Sequence, residues 1–170
     1  MTPPVSRRAL LGLVLLAQLP AWAAEATGRV IGVIDGDTID VLTAKFETLR
    51  VRLSGIDAPE LGQAFGRNAK AALSSLAFTR QVTIEWHKRD RHGRLVGKVT
   101  LEGRDIALEM LTLGMAWHYT RFESEQPAAD RREYADAQTR ARVARRGLWA
   151  DTAPLPPWEY RARHSDGKGK

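Results

Sequence analysis

Apolar residues recur along this chain with two different periods, and the switches between them mark out its elements. Residues 28–35 (Gly-Arg-Val-Ile-Gly-Val-Ile-Asp) are rich in β-branched side chains and stop at a glycine flanked by aspartates, the pattern of a strand running into a turn. Residues 38–42 alternate after that turn and predict a hairpin partner. Residues 48–53 alternate again, placing Leu49, Val51 and Leu53 on one face and Arg50 and Arg52 on the other. Two arginines on one strand face usually mean solvent, but here that face is also a candidate floor for a site. After Pro59 the period changes to that of a helix over 65–76, with Phe65, Ala69, Ala72, Leu73 and Leu76 on one side.

Two more strands follow at 81–86 and 95–101, joined by the charged connection 88–94 with Gly93 as its turn residue. A short helix at 105–113 turns Ile106, Met110 and Leu113 inward and closes at Gly114. The longest helix, 127–146, starts with Pro127 at its first position and stops before Gly147, with Tyr134, Ala137, Ala141 and Ala144 on its apolar side. From 151 the chain is proline-rich, then basic and glycine-rich to 170, and is expected to fray. Five strands with a helix between the third and fourth, then further helices, predict an α+β, mainly β fold: a five-stranded OB-fold barrel carrying three helices.

The first 23 residues stand apart from that pattern. Arg7 and Arg8 precede an apolar run, 9–19, that is too short to span a bilayer, and Ala21-Trp22-Ala23 follows as a small-x-small cleavage pattern. This is an export signal of the Sec or twin-arginine type. It divides the chain into a cleaved leader (1–23), one domain (24–150) and a tail (151–170), and predicts a periplasmic or secreted protein. The chain contains no cysteine, so its core must hold without disulfides, and thiolate nucleophiles and thiolate zinc sites are excluded. The formal charge of +6 drops to +4 without Arg7 and Arg8, since no acidic residue precedes Glu25. Basic excess suits a polyanionic partner but does not single one out.

Chemistry concentrates in three stretches at strand ends. Asp35-Gly36-Asp37-Thr38 is by itself an ordinary Asp-Gly turn, and Asp57-Ala58-Pro59-Glu60 an ordinary acidic helix start. Asp90-Arg91-His92-Gly93-Arg94 is by itself an ordinary charged turn. Together, with Arg52 five residues before Asp57, they supply carboxylates for a hard cation and two guanidiniums for a phosphate. That combination points to metal-assisted phosphoryl chemistry. The four histidines show no metal-ligand spacing.

At these residues the sequence resembles the staphylococcal nuclease family, over roughly 28–149, including Leu113-Gly-Met-Ala-Trp117 and Arg146-Gly-Leu-Trp149. The resemblance implies a calcium-dependent phosphodiesterase that cuts DNA and RNA with little base preference, as a monomer, leaving 3′-phosphate and 5′-hydroxyl ends. It further implies that Asp37, Asp57 and the carbonyl of Ala58 hold Ca2+. By the same resemblance Arg52 and Arg94 grip the scissile phosphate, and Glu60 activates or orients the attacking water. Arg91, His92 and Tyr119 are candidate contacts to neighbouring phosphates or a base. Two departures stand out: alanine at 58 where the best-known member has threonine, and a short segment after Glu60 lacking that member's lysine-rich loop. The competing reading is a non-catalytic nucleic-acid-binding barrel, whose signature would be a missing carboxylate or arginine.

Overall fold

In a computed structural model that describes residues 24–165, the chain is built around one closed barrel. Strand β1 (Ala24–Val33) pairs antiparallel with β2 (Thr38–Thr43), which pairs antiparallel with β3 (Thr48–Leu53). On its other edge β1 pairs with β5 (Gln81–Arg89), and β5 pairs with β6 (Leu95–Leu101). Parallel pairing of β3 with β6, Val51 opposite Leu95 and Leu53 opposite Gly97, closes the ring. Register shifts between Val30 and Gly32 in β1 and between Trp86 and Lys88 in β5 supply the bends that closure needs. The fold is thus α+β and mainly β, a five-stranded barrel of the OB type. Two residues of β7 (Arg104–Asp105) extend the sheet beyond β6. A separate small ladder joins β4 (Ile56–Asp57) to β8 (Trp117–His118).

Alternation in β2, β3, β5 and β6 fills the barrel with Ile39, Val41, Val51, Leu53, Val82, Ile84, Leu95 and Val99, all buried. Helix α1 (Gly66–Ala77) and helix α2 (Ile106–Thr112) close it, contributing Ala69, Leu73, Ile106, Met110 and Leu111. Asp105 caps α2 by accepting from the backbone N–H of Ala107 and Leu108, a contact worth about 1 kcal/mol in typical helices. It also accepts the hydroxyl of buried Tyr134, from helix α3 (Ala128–Val143), at 2.8 Å. One acidic side chain therefore ties α2 to α3.

The structure corrects the sequence reading in places. Leu113 is not inward: α2 ends at Thr112 and Leu113 lies past its packed turn, 42% exposed, while Ala107 and Leu111 take the buried positions. Ala144 is likewise exposed, because α3 ends at Val143 and its buried stripe stops at Ala141. The tail does not fray throughout. Pro157–Ser165 forms helix α4, with proline at its start, where its missing N–H costs nothing, and with Glu159 in its first turn and Arg163 in its last, charges that suit the helix dipole. The leader expected at 1–23 lies outside the described residues, and no described helix is long and apolar enough to cross a membrane.

Candidate active site

The three chemistry-bearing stretches converge at one mouth of the barrel. Asp37 sits in the link from β1 to β2, and its neighbour Gly36 explains why the link can dip inward. A Cβ at Gly36 would stand 2.6 Å from the Cβ of Ala69 and 2.7 Å from that of Ala58, so only glycine lets the link press against α1 and the Asp57 segment. Asp37 then accepts the Ala58 backbone N–H at 2.8 Å and the Thr38 hydroxyl at 3.0 Å. Its own N–H donates to Asp35 at 3.0 Å. Burial pushes the Asp37 carboxyl up to about 7, against the pull of Arg52; the charges of Asp35 and Asp57 push the same way as burial.

Arg52 lies opposite Thr38 in the β2–β3 register and points under this cluster. Its guanidinium donates to the carbonyls of Leu53 (3.0 Å) and Ile56 (2.8 Å) and to Asp57 (2.9 Å), and it pairs with Asp37 at 3.1 Å. Arg50, on the same strand face, is drawn away: it forks onto Asp40 across the strand pair at 2.8 and 2.9 Å. Asp57 itself is 1% exposed and is fixed by β4 pairing with β8, where it faces Trp117. Glu60 follows on a tight loop. Its N–H donates to the Gln63 side chain at 3.1 Å, and its carbonyl accepts from the Gln63 N–H at 2.8 Å. A Cβ at Gly66 would lie 1.8 Å from the Glu60 carbonyl, so the first residue of α1 must be glycine for Glu60 to sit there.

Arg94 arrives from the turn between β5 and β6. Asp90 builds that turn, accepting the backbone N–H groups of His92 (2.8 Å) and Arg94 (3.0 Å), and it grips Arg94 Nε at 2.7 Å. Burial opposes the Asp90 charge, but the Arg94 side chain and these N–H donors hold its pKa below the usual carboxylate value. Arg94 Nη1 reaches the Thr38 hydroxyl at 3.4 Å, which brings it beside the Asp37 cluster. All five main candidates, Asp37, Arg52, Asp57, Glu60 and Arg94, line one open cleft of about 1240 Å³. Arg91, His92 and Tyr119 line it too, farther along, with Arg91 and His92 on the exposed turn and hydrogen-bonded to each other at 3.1 Å.

Two side chains of the cleft are given no role by the sequence reading. Asp90 appears there only as a letter of the turn motif, although it holds Arg94 in place. Arg161 of α4 reaches across 104 positions to donate to Asp57 at 3.2 and 2.7 Å, and it donates to Glu60 at 2.7 Å. Partial burial disfavours its charge, but the hydrogen bonds it donates to Asp57 and Glu60 more than offset this and raise its pKa. The available signal was the Pro-Pro-Trp-Glu-Tyr-Arg run at 156–161, a helix start with aromatics before an arginine.

Among the described residues no group of three or more His, Cys, Asp or Glu side chains is placed to hold a metal ion. What the cleft offers a cation is the Asp37–Asp57 carboxylate pair beside backbone carbonyls. That donor set is all oxygen and buried, the chemistry a hard cation takes. Arg161 already brings a positive group to it.

A barrel mouth where buried carboxylates meet fixed arginines in an open cleft suits a protein that handles phosphodiesters. The family model for staphylococcal nuclease homologues matches residues 50–151. The chain is 43% identical over 157 residues to Protein ParB of Escherichia coli, covering 87% of this chain and 85% of that protein. It is 40% identical over 158 residues to the micrococcal nuclease of Shigella flexneri, covering 88% and 87%. It is 37% identical over 145 residues to an uncharacterized endonuclease of Escherichia coli O157:H7, covering 85% and 90%. The chain belongs to the staphylococcal nuclease family. Its enzyme class is that of a nuclease, a hydrolase acting on phosphodiester bonds.

Proposed function

We propose that this protein is a calcium-dependent nuclease that cleaves DNA and RNA with little base preference. In this reading water attacks phosphorus and leaves 3′-phosphate and 5′-hydroxyl ends. The observation that carries the reading is the convergence of Asp37, Arg52, Asp57, Glu60 and Arg94 on one cleft. Asp37, Asp57 and the Ala58 carbonyl would hold calcium, whose charge, when bound, polarises a phosphoryl oxygen.

The chain's own residues do the rest. Glu60 is the carboxylate nearest the open side, 40% exposed against 1% for Asp57, so it is the group that water can reach. It accepts a proton from that water or fixes its direction. Arg52 is set by two carbonyls and two carboxylates, and Arg94 by Asp90, so both guanidiniums stand at the cleft before charge builds on the nonbridging oxygens. A planar fork of permanent charge suits those oxygens better than an ammonium would. Tyr119, half-buried on the cleft wall, offers a face for a base, and such stacking is worth about 1–3 kcal/mol. The leader at 1–23 supports export, and we read the enzyme as acting outside the cytoplasm as a monomer.

The test is cleavage of a fluorescent DNA strand in excess calcium or excess chelator. Activity lost in chelator and restored by calcium but not magnesium supports the reading. Binding of DNA without cleavage under any metal would overturn it in favour of a non-catalytic binding barrel.

A further inference from the structure

Helix α4 lies over the active-site mouth through one face. Trp158 and Arg161, three residues apart, point the same way. The Trp158 ring packs 5.6 Å from Trp117 and 5.5 Å from Tyr119, centre to centre. Just before the helix, the Leu155 carbonyl accepts from the Gln63 side chain at 2.5 Å, tying the tail to the Glu60 loop. Pro157, at the start of the helix, is buried. These contacts seat the helix so that Arg161 ends on the two carboxylates described above.

The geometry at Asp57 is exclusive. Arg52 donates to Oδ1 at 2.9 Å, and Arg161 donates to Oδ1 at 3.2 Å and to Oδ2 at 2.7 Å. Both oxygens of a carboxylate shut off from solvent are thus engaged by guanidiniums. A calcium ion needs those oxygens at about 2.3–2.6 Å. It would then face the Arg161 guanidinium at close range, like charge against like charge. Arg52 has backbone carbonyls to remain on, whereas the Arg161 side chain is 45% exposed and has solvent to swing into.

On the reading that Asp57 holds calcium, we propose that Arg161 is a tethered counter-ion that occupies the cation's place in the calcium-free enzyme and must leave before the ion binds. The same exchange frees Glu60, whose Oε1 is held by Arg161 at 2.7 Å, so the water-activating carboxylate and the cation site become available together. The tail then sets the calcium level at which the enzyme switches on. The apparent calcium affinity is the intrinsic affinity reduced by the fraction of molecules in which Arg161 has swung out.

The proposal is tested by calorimetric titration of calcium, without nucleic acid, into the wild type and into Arg161→Ala, Arg161→Gln and Arg163→Ala. Arg163 removes one positive charge from the same helix, but its partner is Glu159 at 3.5 Å and not the site. Both Arg161 variants are expected to bind calcium at least about tenfold more tightly than wild type, and Arg163→Ala within about twofold of it. Should the alanine variant fail to fold, Arg161→Gln keeps the stem and the polar end and carries the test. Equal or weaker affinity in the Arg161 variants overturns the proposal, as does an equal gain in Arg163→Ala, which would reduce the effect to general charge. A wild type that binds no calcium and cleaves DNA equally in chelator overturns the calcium reading itself, and is told apart by the wild type alone.

Discussion

At the scale of single residues, the candidate site is arranged by fixed backbone and by anchored guanidiniums. The Glu60 backbone is fixed by its loop and by the glycine at 66, while its side chain stays 40% exposed. Glu60→Gln keeps the shape and removes the base, so turnover should fall about 10²- to 10⁴-fold with the thermal midpoint little changed; steady-state kinetics on a fluorescent strand read this. Near-wild-type turnover would sink the role of Glu60. Arg94 depends on Asp90 in the same way, and Asp90→Asn should lower kcat about 10- to 10²-fold by releasing the guanidinium from its position. This pair also carries a pH dependence. The folded-state pKa of Asp90 is depressed, so its stabilisation is present above the unfolded value near 3.9 and is lost as pH falls through the folded one. The gap in thermal midpoint between wild type and Asp90→Asn should be constant above about pH 5 and close below about pH 4. A gap that widens in acid would contradict the assignment.

At the scale of elements, close approach matters more than propensity. The β1–β2 link meets α1 at Gly36 with no room for a methyl group, so Gly36→Ala must push the link away from Ala69 and Ala58. Overpacking of this kind costs about 1–3 kcal/mol, read as a lower urea midpoint, and it should weaken catalysis as well because Asp37 is the next residue. An unchanged midpoint would mean that the link relaxes freely. Helix α4 is held by aromatic contacts of Trp158 and by the Gln63–Leu155 hydrogen bond. Trp158→Ala should unseat the helix while the barrel stays intact, which limited trypsin digestion would reveal as early cleavage at Arg161 or Arg163. Resistance equal to wild type would show that α4 is seated by other contacts.

At the scale of the whole molecule, the cleft collects basic groups from every side: Arg52 from β3, Arg89 and Arg94 around the β5–β6 turn, Arg121 from the segment after β8, and Arg161 from α4. A polyanion bound along it releases counterions, so affinity for a non-cleavable DNA strand should fall steeply and log-linearly with salt. A flat salt response in a binding titration would argue that the cleft is not the nucleic-acid track. The barrel makes this convergence possible because parallel pairing of β3 with β6 sets the Arg52 strand directly beside the strand that follows Arg94.

The sequence by itself determined the barrel strands and the barrel class, and it marked Asp37, Arg52, Asp57, Glu60 and Arg94 as candidates whose roles the family resemblance implies. Those are local signals: period-two alternation dictates which strand face is buried, and short motifs at strand ends travel with their own turns. Only the tertiary structure decided the rest. It set Arg50 on Asp40 while its neighbour Arg52 faces the site, and it left Leu113 and Ala144 exposed at helix ends where periodicity had turned them inward. It also set Arg161 on Asp57 and Glu60. Each of these outcomes depends on what stands opposite the residue in space, and a contact between Asp57 and a side chain 104 positions later leaves no periodic trace in a single sequence.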